Sequence, residues 1–270
     1  MTSMTLPACR SLLFLPASNP RAVEKARSTA ADMIFLDLED AVKEEDKPAA
    51  RDGALAATAV GFAGRPAAIR VNPVDSPHHL ADLACLRSSR ADFAILAKAD
   101  SADQVRRTGE ATGKLVLAMI ETPRAVADAA AIAAASAGLI AGTNDLSYAL
   151  QIPMGAGRRG LAMCLQTIVL AGRLAGVPVF DGVHNALDDT AGLEAECAEG
   201  RAFGFNGKTL IHPNQISVAN SIFGPTEAER LAAERLVAAA TGGAERHEGR
   251  MIEAMHVEQA RLILARAGRQ

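Results

Sequence analysis

The chain has 270 residues, 49% of them hydrophobic and only 3% aromatic, with no Trp and one Tyr. That composition excludes a disordered chain and asks for a core built from Ala, Leu, Val and Ile. Twenty-eight Lys and Arg against 31 Asp and Glu give a formal charge of −3, and no basic run exceeds the pairs Arg106-Arg107 and Arg158-Arg159. A nucleic-acid or anionic-membrane partner is therefore not expected.

Four cysteines, Cys9, Cys85, Cys164 and Cys197, stand far apart without a CxxC. This removes a thiolate zinc site and fits a reducing, cytoplasmic setting. The longest early apolar run, 12–16, is far too short to cross a membrane, and no cleavage signature follows it.

Along the chain, short β-type apolar runs fall at 11–16, 33–39, 67–71, 93–98, 115–120, 138–142, 177–181 and 204–211. Stretches of helical period alternate with them at 21–30, 47–59, 102–112, 123–135, 161–175 and 190–200, and the segment around 78–87 has room for one more helix. Pro123 suits a first helical position. Eight strands with helical crossovers in about 220 residues predict an α/β fold, a (β/α)₈ TIM barrel over residues 1–224, with an open doubly wound sheet as the alternative. Beyond Pro213 the pattern changes to a helix at 226–240, a Gly-rich charged stretch at 241–250 and a final helix at 254–265. Residues 225–270 are thus expected to form a short C-terminal helical appendage, packed on the barrel or on a neighbouring subunit.

In such barrels the active site lies at the C-terminal ends of the strands. Here the runs close on Asp37, Glu39 and Asp40, on Arg70 and Asn72, on Lys98, on Glu121, on Asp145, on Asp181, and on Lys208 and His212. One charge at a strand end is ordinary for a solvated loop. Charges on nearly every strand point to a site. Glu121 and Asp145 end neighbouring runs, so their carboxylates can share one hard cation such as Mg²⁺, completed by water and substrate oxygens. The competing reading pairs each with a barrel lysine or arginine. Arg70, held at a strand end, suits bidentate binding of a carboxylate or stabilisation of an enolate oxygen, and a buried ion pair with Asp37 or Glu39 is compatible with that role.

Three other patterns compete for attention. The string Gly155-Ala156-Gly157-Arg158-Arg159-Gly160 fits the dinucleotide GxGxxG pattern, with Asp181 near the spacing of a ribose-binding acid, but it follows a proline-containing loop and not a strand. Lys98 or Lys208 offers a Schiff-base amine, although ion pairing is the usual fate of barrel lysines. The histidines show no HExxH, and adjacent His78 and His79 would point apart on a helix, so neither is expected to bind metal.

The segments Leu13-Phe14-Leu15-Pro16-Ala17-Ser18, Asp37-Leu38-Glu39-Asp40-Ala41-Val42, Arg70-Val71-Asn72, Ile120-Glu121-Thr122, Gly142-Thr143-Asn144-Asp145-Leu146, Phe180-Asp181-Gly182-Val183 and Gly207-Lys208-Thr209-Leu210-Ile211-His212-Pro213 together resemble the citrate lyase β-subunit family, which includes malyl-CoA and citramalyl-CoA lyases. The resemblance runs in order from about residue 10 to residue 265. It implies a barrel, Mg²⁺, and reversible Claisen-type cleavage of a 3-hydroxyacyl-CoA to an acyl-CoA and an oxoacid. By position, Glu121 and Asp145 become the metal ligands, Arg70 contacts substrate, and Glu39, Asp40, Lys98 and Asp181 are supporting candidates. Gly249-Arg250-Met251-Ile252-Glu253 resembles a segment where many relatives carry an aspartate that reaches a neighbouring subunit's site. The residue here is glutamate, so Glu253 is the candidate proton-transfer group of a homo-oligomer, a trimer by resemblance. Two alternatives stay open: a Mg²⁺-dependent aldolase acting on free 4-hydroxy-2-keto acids, and a non-catalytic subunit of a lyase complex.

Overall fold

Each apolar run of the sequence becomes a parallel strand: β1 (Ser11–Pro16), β2 (Met33–Asp37), β3 (Ala67–Val71), β4 (Phe93–Leu96), β5 (Leu115–Ile120), β6 (Gly138–Ala141), β7 (Val179–Asp181) and β8 (Gly207–Leu210). They close in sequence order, with β8 pairing back onto β1 through Leu12 opposite Thr209. The barrel is the expected fold, and no open edge remains among these strands. The computed structural model describes residues 6, 9–247 and 249–267.

Strand periodicity divides the side chains into two layers. Leu12, Phe35, Phe93, Leu117, Ile140 and Phe180 point inward and fill the barrel, while their sequence neighbours face the helices. Each such fully buried side chain contributes roughly 1.5–3 kcal/mol of hydrophobic stabilisation.

The helical ring comprises α1 (Pro20–Ala26), α2 (Lys47–Val60), α3 (His79–Ser88), α4 (Ala102–Thr112), α5 (Pro123–Ala127), α6 (Ala129–Ala135), α7 (Thr143–Ala149), α8 (Ala162–Ala175), α9 (Thr190–Phe203) and α10 (Ile216–Phe223). Local chemistry sets their starts. Ser101 caps α4 by accepting from Gln104 N, and Thr122 caps α5 by accepting from Ala125 N, with Pro123 at the first position as expected.

Several boundaries differ from the sequence reading, for identifiable reasons. The single helix expected at 123–135 is two, broken at Asp128, whose backbone leaves the helical region at φ −99°, ψ 11°. The last strand begins at Gly207 because Gly204, at φ 102°, ends α9 in a left-handed turn that suits glycine. Pro178 offers no N–H to the ladder, so β7 starts at Val179, although the Pro178 carbonyl still accepts from Leu139 N at 3.0 Å.

After the barrel, α11 (Glu227–Ala239) starts with a capping box between Thr226 and Glu229, and Glu229 also takes Arg201 of α9 at 2.7 Å. The Gly-rich charged stretch at 241–250, read without secondary structure, holds part of an antiparallel hairpin, β9 (Glu245–His247) with β10 (Arg250–Ile252). The final helix, α12 (Ala254–Ala267), folds back onto α11. Met251, Met255 and Leu262 remain exposed.

Candidate active site

Parity along the strands decides which strand-end charges share a space. Counting by twos from the inward residues Phe35, Ala68 and Met119 leads to Asp37, Arg70 and Glu121, so all three end at the C-terminal mouth of the barrel interior. A cavity of about 290 Å³ opens there, lined by Phe14, Asp40, Arg70, Glu121, Asp145 and Thr209 among others.

Arg70 forms the floor. Its Nε and Nη2 donate to the two oxygens of Asp37 at 2.7 and 2.5 Å, and the guanidinium lies over the Phe14 ring at 4.9 Å. Asp37 and Arg70 are also register partners on β2 and β3. Burial alone would raise the Asp37 pKa, but the charge and hydrogen bonds of Arg70, with the amides of Glu39 and Ala41, outweigh it and hold the carboxyl below its usual range. The buried ion pair thus coexists with exposure of Arg70 to the cavity.

Glu39 is buried behind this pair. Its Oε1 accepts from Lys98 Nζ at 2.9 Å, while its Oε2 stands 2.9 Å from Arg70 Nη1 without the alignment of a hydrogen bond. Desolvation raises the Glu39 pKa against the opposing charge of Arg70. For Lys98, burial would lower the pKa, yet the hydrogen bond and charge of Glu39 prevail and raise it. An amine held charged in this way is a poor Schiff-base nucleophile. Lys98 adopts φ 48°, and this left-handed turn lets its backbone N–H reach Glu121 Oε1 at 2.6 Å while its side chain reaches Glu39. A buried lysine from the next layer, Lys47, fastens the end of β2 by donating to the carbonyls of Leu38 and Glu39 and to Asn72 Oδ1.

Glu121 is 2% exposed, and its pKa is pushed up to about 7 by desolvation first, then by the charges of Glu39 and Asp145, with Arg70 opposing. Its carboxylate occupies the space that a side chain at position 142 would need: a Cβ on Gly142 would fall 2.5 Å from Glu121 Oε2. Asp145, in the first turn of α7, is a third exposed and is approached by Lys98 Nζ only to 3.7 Å.

These residues fit a hard divalent cation. Of the residues lining the cavity, the acids Asp37, Asp40, Glu121 and Asp145 outnumber the cationic Arg70, which Asp37 already engages, and the remaining donors are carboxylate oxygens that face the same space. Among the described residues no three His, Cys, Asp or Glu side chains are grouped to enclose a metal by themselves. The donor set therefore suits an ion that keeps water or substrate oxygens in its shell, as Mg²⁺ does.

The structure separates the remaining sequence candidates from this cavity. Asp181 and Lys208 follow inward Phe180 and precede inward Thr209, so they turn outward, where they pair with one another at 3.1 Å. Asp181, expected to support the site, instead anchors Arg158 through hydrogen bonds of 2.7 and 2.8 Å. Glu253 is exposed at the head of α12, its N–H donating to His256 Nδ1 at 3.0 Å, and it does not line the cavity of its own chain. His79 Nδ1 bonds the Asn72 carbonyl at 2.7 Å and His78 pairs with Glu44, so neither faces the cavity. Phe14, Met119 and Asn185 also line the cavity and were not singled out from sequence; strand parity marks the first two.

Comparison with known proteins gives one consistent result. Residues 10–213 match the family described as HpcH/HpaI aldolase/citrate lyase, and residues 159–269 match one described as C-C_Bond_Lyase of the TIM-Barrel fold. A (3S)-malyl-CoA thioesterase of Cereibacter sphaeroides is 40% identical, with 96% of this chain and 94% of that one covered. A citrate lyase subunit beta-like protein of Mycobacterium tuberculosis is 35% identical over 95% and 94%. The crystal structure of protein CitE from M. tuberculosis in complex with magnesium, acetoacetate and coenzyme A superposes with a TM-score of 0.85 at 34% identity, covering 97% of this chain and 100% of that one. The chain belongs to the HpcH/HpaI aldolase/citrate lyase family.

Proposed function

We propose that the protein is a Mg²⁺-dependent carbon–carbon lyase that cleaves, or in reverse forms, a short 3-hydroxyacyl-CoA such as a malyl, citramalyl or citryl thioester. The observation that carries this reading is the convergence of Glu121, Asp145 and Arg70 on one cavity at the C-terminal mouth of the barrel. Its volume of about 290 Å³ has room for a short hydroxyacyl chain and not for the whole thioester, which would extend outward. Relatives solved with magnesium, acetoacetate, oxaloacetate and coenzyme A support both cofactor and substrate class.

Glu121 and Asp145 would hold the cation, whose contribution when bound is to polarise the oxoacid carbonyl as a Lewis acid. The chain's own groups supply the rest. A base removes the 3-hydroxyl proton, the bond between the α and β carbons breaks, and its electron pair becomes the thioester enolate, which takes up a proton to leave the acyl-CoA. Arg70, rigid on Asp37 and Phe14, offsets the charge of the enolate or of a substrate carboxylate. Glu253, absent from its own cavity, supplies the proton-transfer carboxyl to an adjacent copy, with exposed Met251, Met255 and Leu262 forming part of the contact. The assembly is a homo-oligomer, a trimer by family resemblance, and four free, buried cysteines suit a reducing cytoplasm. Mixing exchangeable Glu253→Gln and Glu121→Gln subunits is expected to restore activity from two inactive parents; no recovery despite exchange would mean self-contained sites and overturn the action of Glu253 on an adjacent copy.

A second reading comes from the 40% identical relatives called (3S)-malyl-CoA thioesterase: water would attack the thioester carbon, the thiol of CoA would leave, and the carbon chain would stay intact. Products separate the two. A panel of hydroxyacyl-CoA thioesters, with and without Mg²⁺, is expected to yield an oxoacid together with an acyl-CoA. Free thiol with intact hydroxyacid would assign hydrolysis instead. Pyruvate released only from free 4-hydroxy-2-keto acids would assign the aldolase, and absence of turnover until a partner chain is added would assign a subunit of a complex.

A further inference from the structure

A second charged cluster lies outside the cavity, and its most distinctive member sits in the string that imitates a dinucleotide motif. The Arg158 side chain is only 10% exposed; besides its two hydrogen bonds to Asp181 it stands 3.6 Å from Glu196 and 3.4 Å from Glu199. The loop delivers it there by turning at Gly155 and Gly157, whose φ values of 83° and 66° favour glycine. The glycines serve a bend, and the acid at the apparent ribose spacing serves as an anchor.

That loop is the continuation of α7, and the two are one packed unit. Leu150 N donates to Leu146 O and Ile152 N to Ser147 O, each at 2.9 Å. The Ile152 side chain fills the space beside Gly160, where a Cβ would come within 2.8 Å of it. The turn at Arg159–Leu161 packs on α7. The first turn of that same helix carries Asp145, which no close hydrogen bond to Lys98 holds in place.

We propose that Arg158 is a positioning residue for the cation site: clamped on Asp181, it fixes the loop and α7 and so sets where Asp145 stands relative to Glu121. The inference rests on the reading of Glu121 and Asp145 as the ligands of one cation. Lys208 also pairs with Asp181 and with Glu196, both at 3.1 Å, so losing Arg158 leaves Asp181 neutralised and the barrel intact. The effect should stay on the α7 side of the clamp.

The test uses Arg158→Gln and Arg158→Lys in the full chain, with hydrogen exchange over residues 143–160 in metal-free protein and calorimetry with Mg²⁺ alone. In Arg158→Gln, amides of 143–150 are expected to exchange about tenfold faster or more, while those of 115–121 keep the parental rate. Mg²⁺ affinity is expected to fall about ten- to a hundredfold, the range for residues that support a metal ligand. Arg158→Lys, which keeps the charge and loses the two-donor fork, should recover only part of both. Asp145→Asn is the comparison variant: loss of Mg²⁺ binding with parental exchange separates a missing ligand from a misplaced one. A parent that binds no Mg²⁺ would sink the ligand reading, and the exchange arm would still decide whether Arg158 holds α7. Parental exchange over 143–150 in Arg158→Gln, or parental Mg²⁺ affinity in that variant, overturns the proposal. Should Arg158→Gln lack a melting transition, Arg158→Lys decides alone: faster exchange confined to 143–160 supports it, and parental exchange overturns it.

Discussion

The cavity cluster on β2 to β6 and the outer cluster on β7 and β8 are built from the same residue types at the same end of the barrel, yet they face opposite layers. In the first, Arg70 and Lys98 leave carboxylate charge uncompensated beside open volume, and Glu121 is pushed up to about 7 by burial and its acidic neighbours. In the second, Arg158 and Lys208 meet buried Asp181 and the partly exposed Glu196 and Glu199 on the helix side of the barrel, with Lys208 and Asp181 fully buried and His184 Nδ1 3.0 Å from Glu196. A charge at a strand end therefore says little alone. Its parity along the strand, and whether its neighbours neutralise it, separate a reactive site from a structural lock.

The sharpest way to break this contrast is to remove one proposed cation ligand from the inner cluster. Glu121→Gln or Asp145→Asn is expected to abolish turnover and calorimetric Mg²⁺ binding while the protein stays folded; parental Mg²⁺ binding in either would dissolve the proposed pair. The outer cluster should respond in the opposite way. Asp181→Ala leaves Arg158 and Lys208 short of a buried partner, and chemical denaturation should show a loss of about 3–5 kcal/mol. A loss within experimental error would mean that the outer network is not a lock.

A smaller effect tests whether Arg70 belongs to both worlds. Arg70→Lys keeps a charge and loses the planar fork, so kcat/KM should fall by about 2–4 kcal/mol in barrier terms. Near-parental kinetics with lowered stability would make Arg70 a purely structural partner of Asp37. The smallest effect is in pH. Because burial raises Glu121 from the usual 4.5 to about 7, the stability tied to its protonated form is present below about 4.5 and is lost as pH rises through about 7. The melting temperature of metal-free protein should fall across that interval relative to Glu121→Gln, and Mg²⁺ should restore it at the alkaline end. Parallel pH curves for the two proteins would show that Glu121 ionises as an ordinary carboxylate.

Much of this was legible from the chain alone, because barrel strands advertise themselves as apolar runs and the active face follows from strand polarity. The eight runs, the neighbouring positions of Glu121 and Asp145, and the ion-pair option for Arg70 all come from spacing. What stayed hidden depends on short range or on parity. α7, with seven residues, is too short to display a helical period, and the Gly-rich charged stretch at 241–250 leads into hairpin strands of only three residues each. Asp181 ends a run and so joins the strand-end candidates, whereas its place next to inward Phe180 turns it outward. The partners of Arg158 come from α9 and β7, separated by 23 to 41 positions, a distance at which sequence carries no geometric signal.

The register of the two cross-strand ion pairs has a further consequence, for assembly of the barrel. Asp37 stands opposite Arg70, and Asp181 opposite Lys208, each as direct partners on adjacent strands. A slip of one residue would exchange the layers and drive a lone ammonium or carboxylate into an apolar neighbourhood. At β7 and β8, where only two residues of each strand are in register, backbone pairing alone discriminates weakly between alignments. Misplacing Lys208 toward Leu12 and Phe180 would cost several kcal/mol of desolvation, so the seam is proofread by charge as the barrel closes.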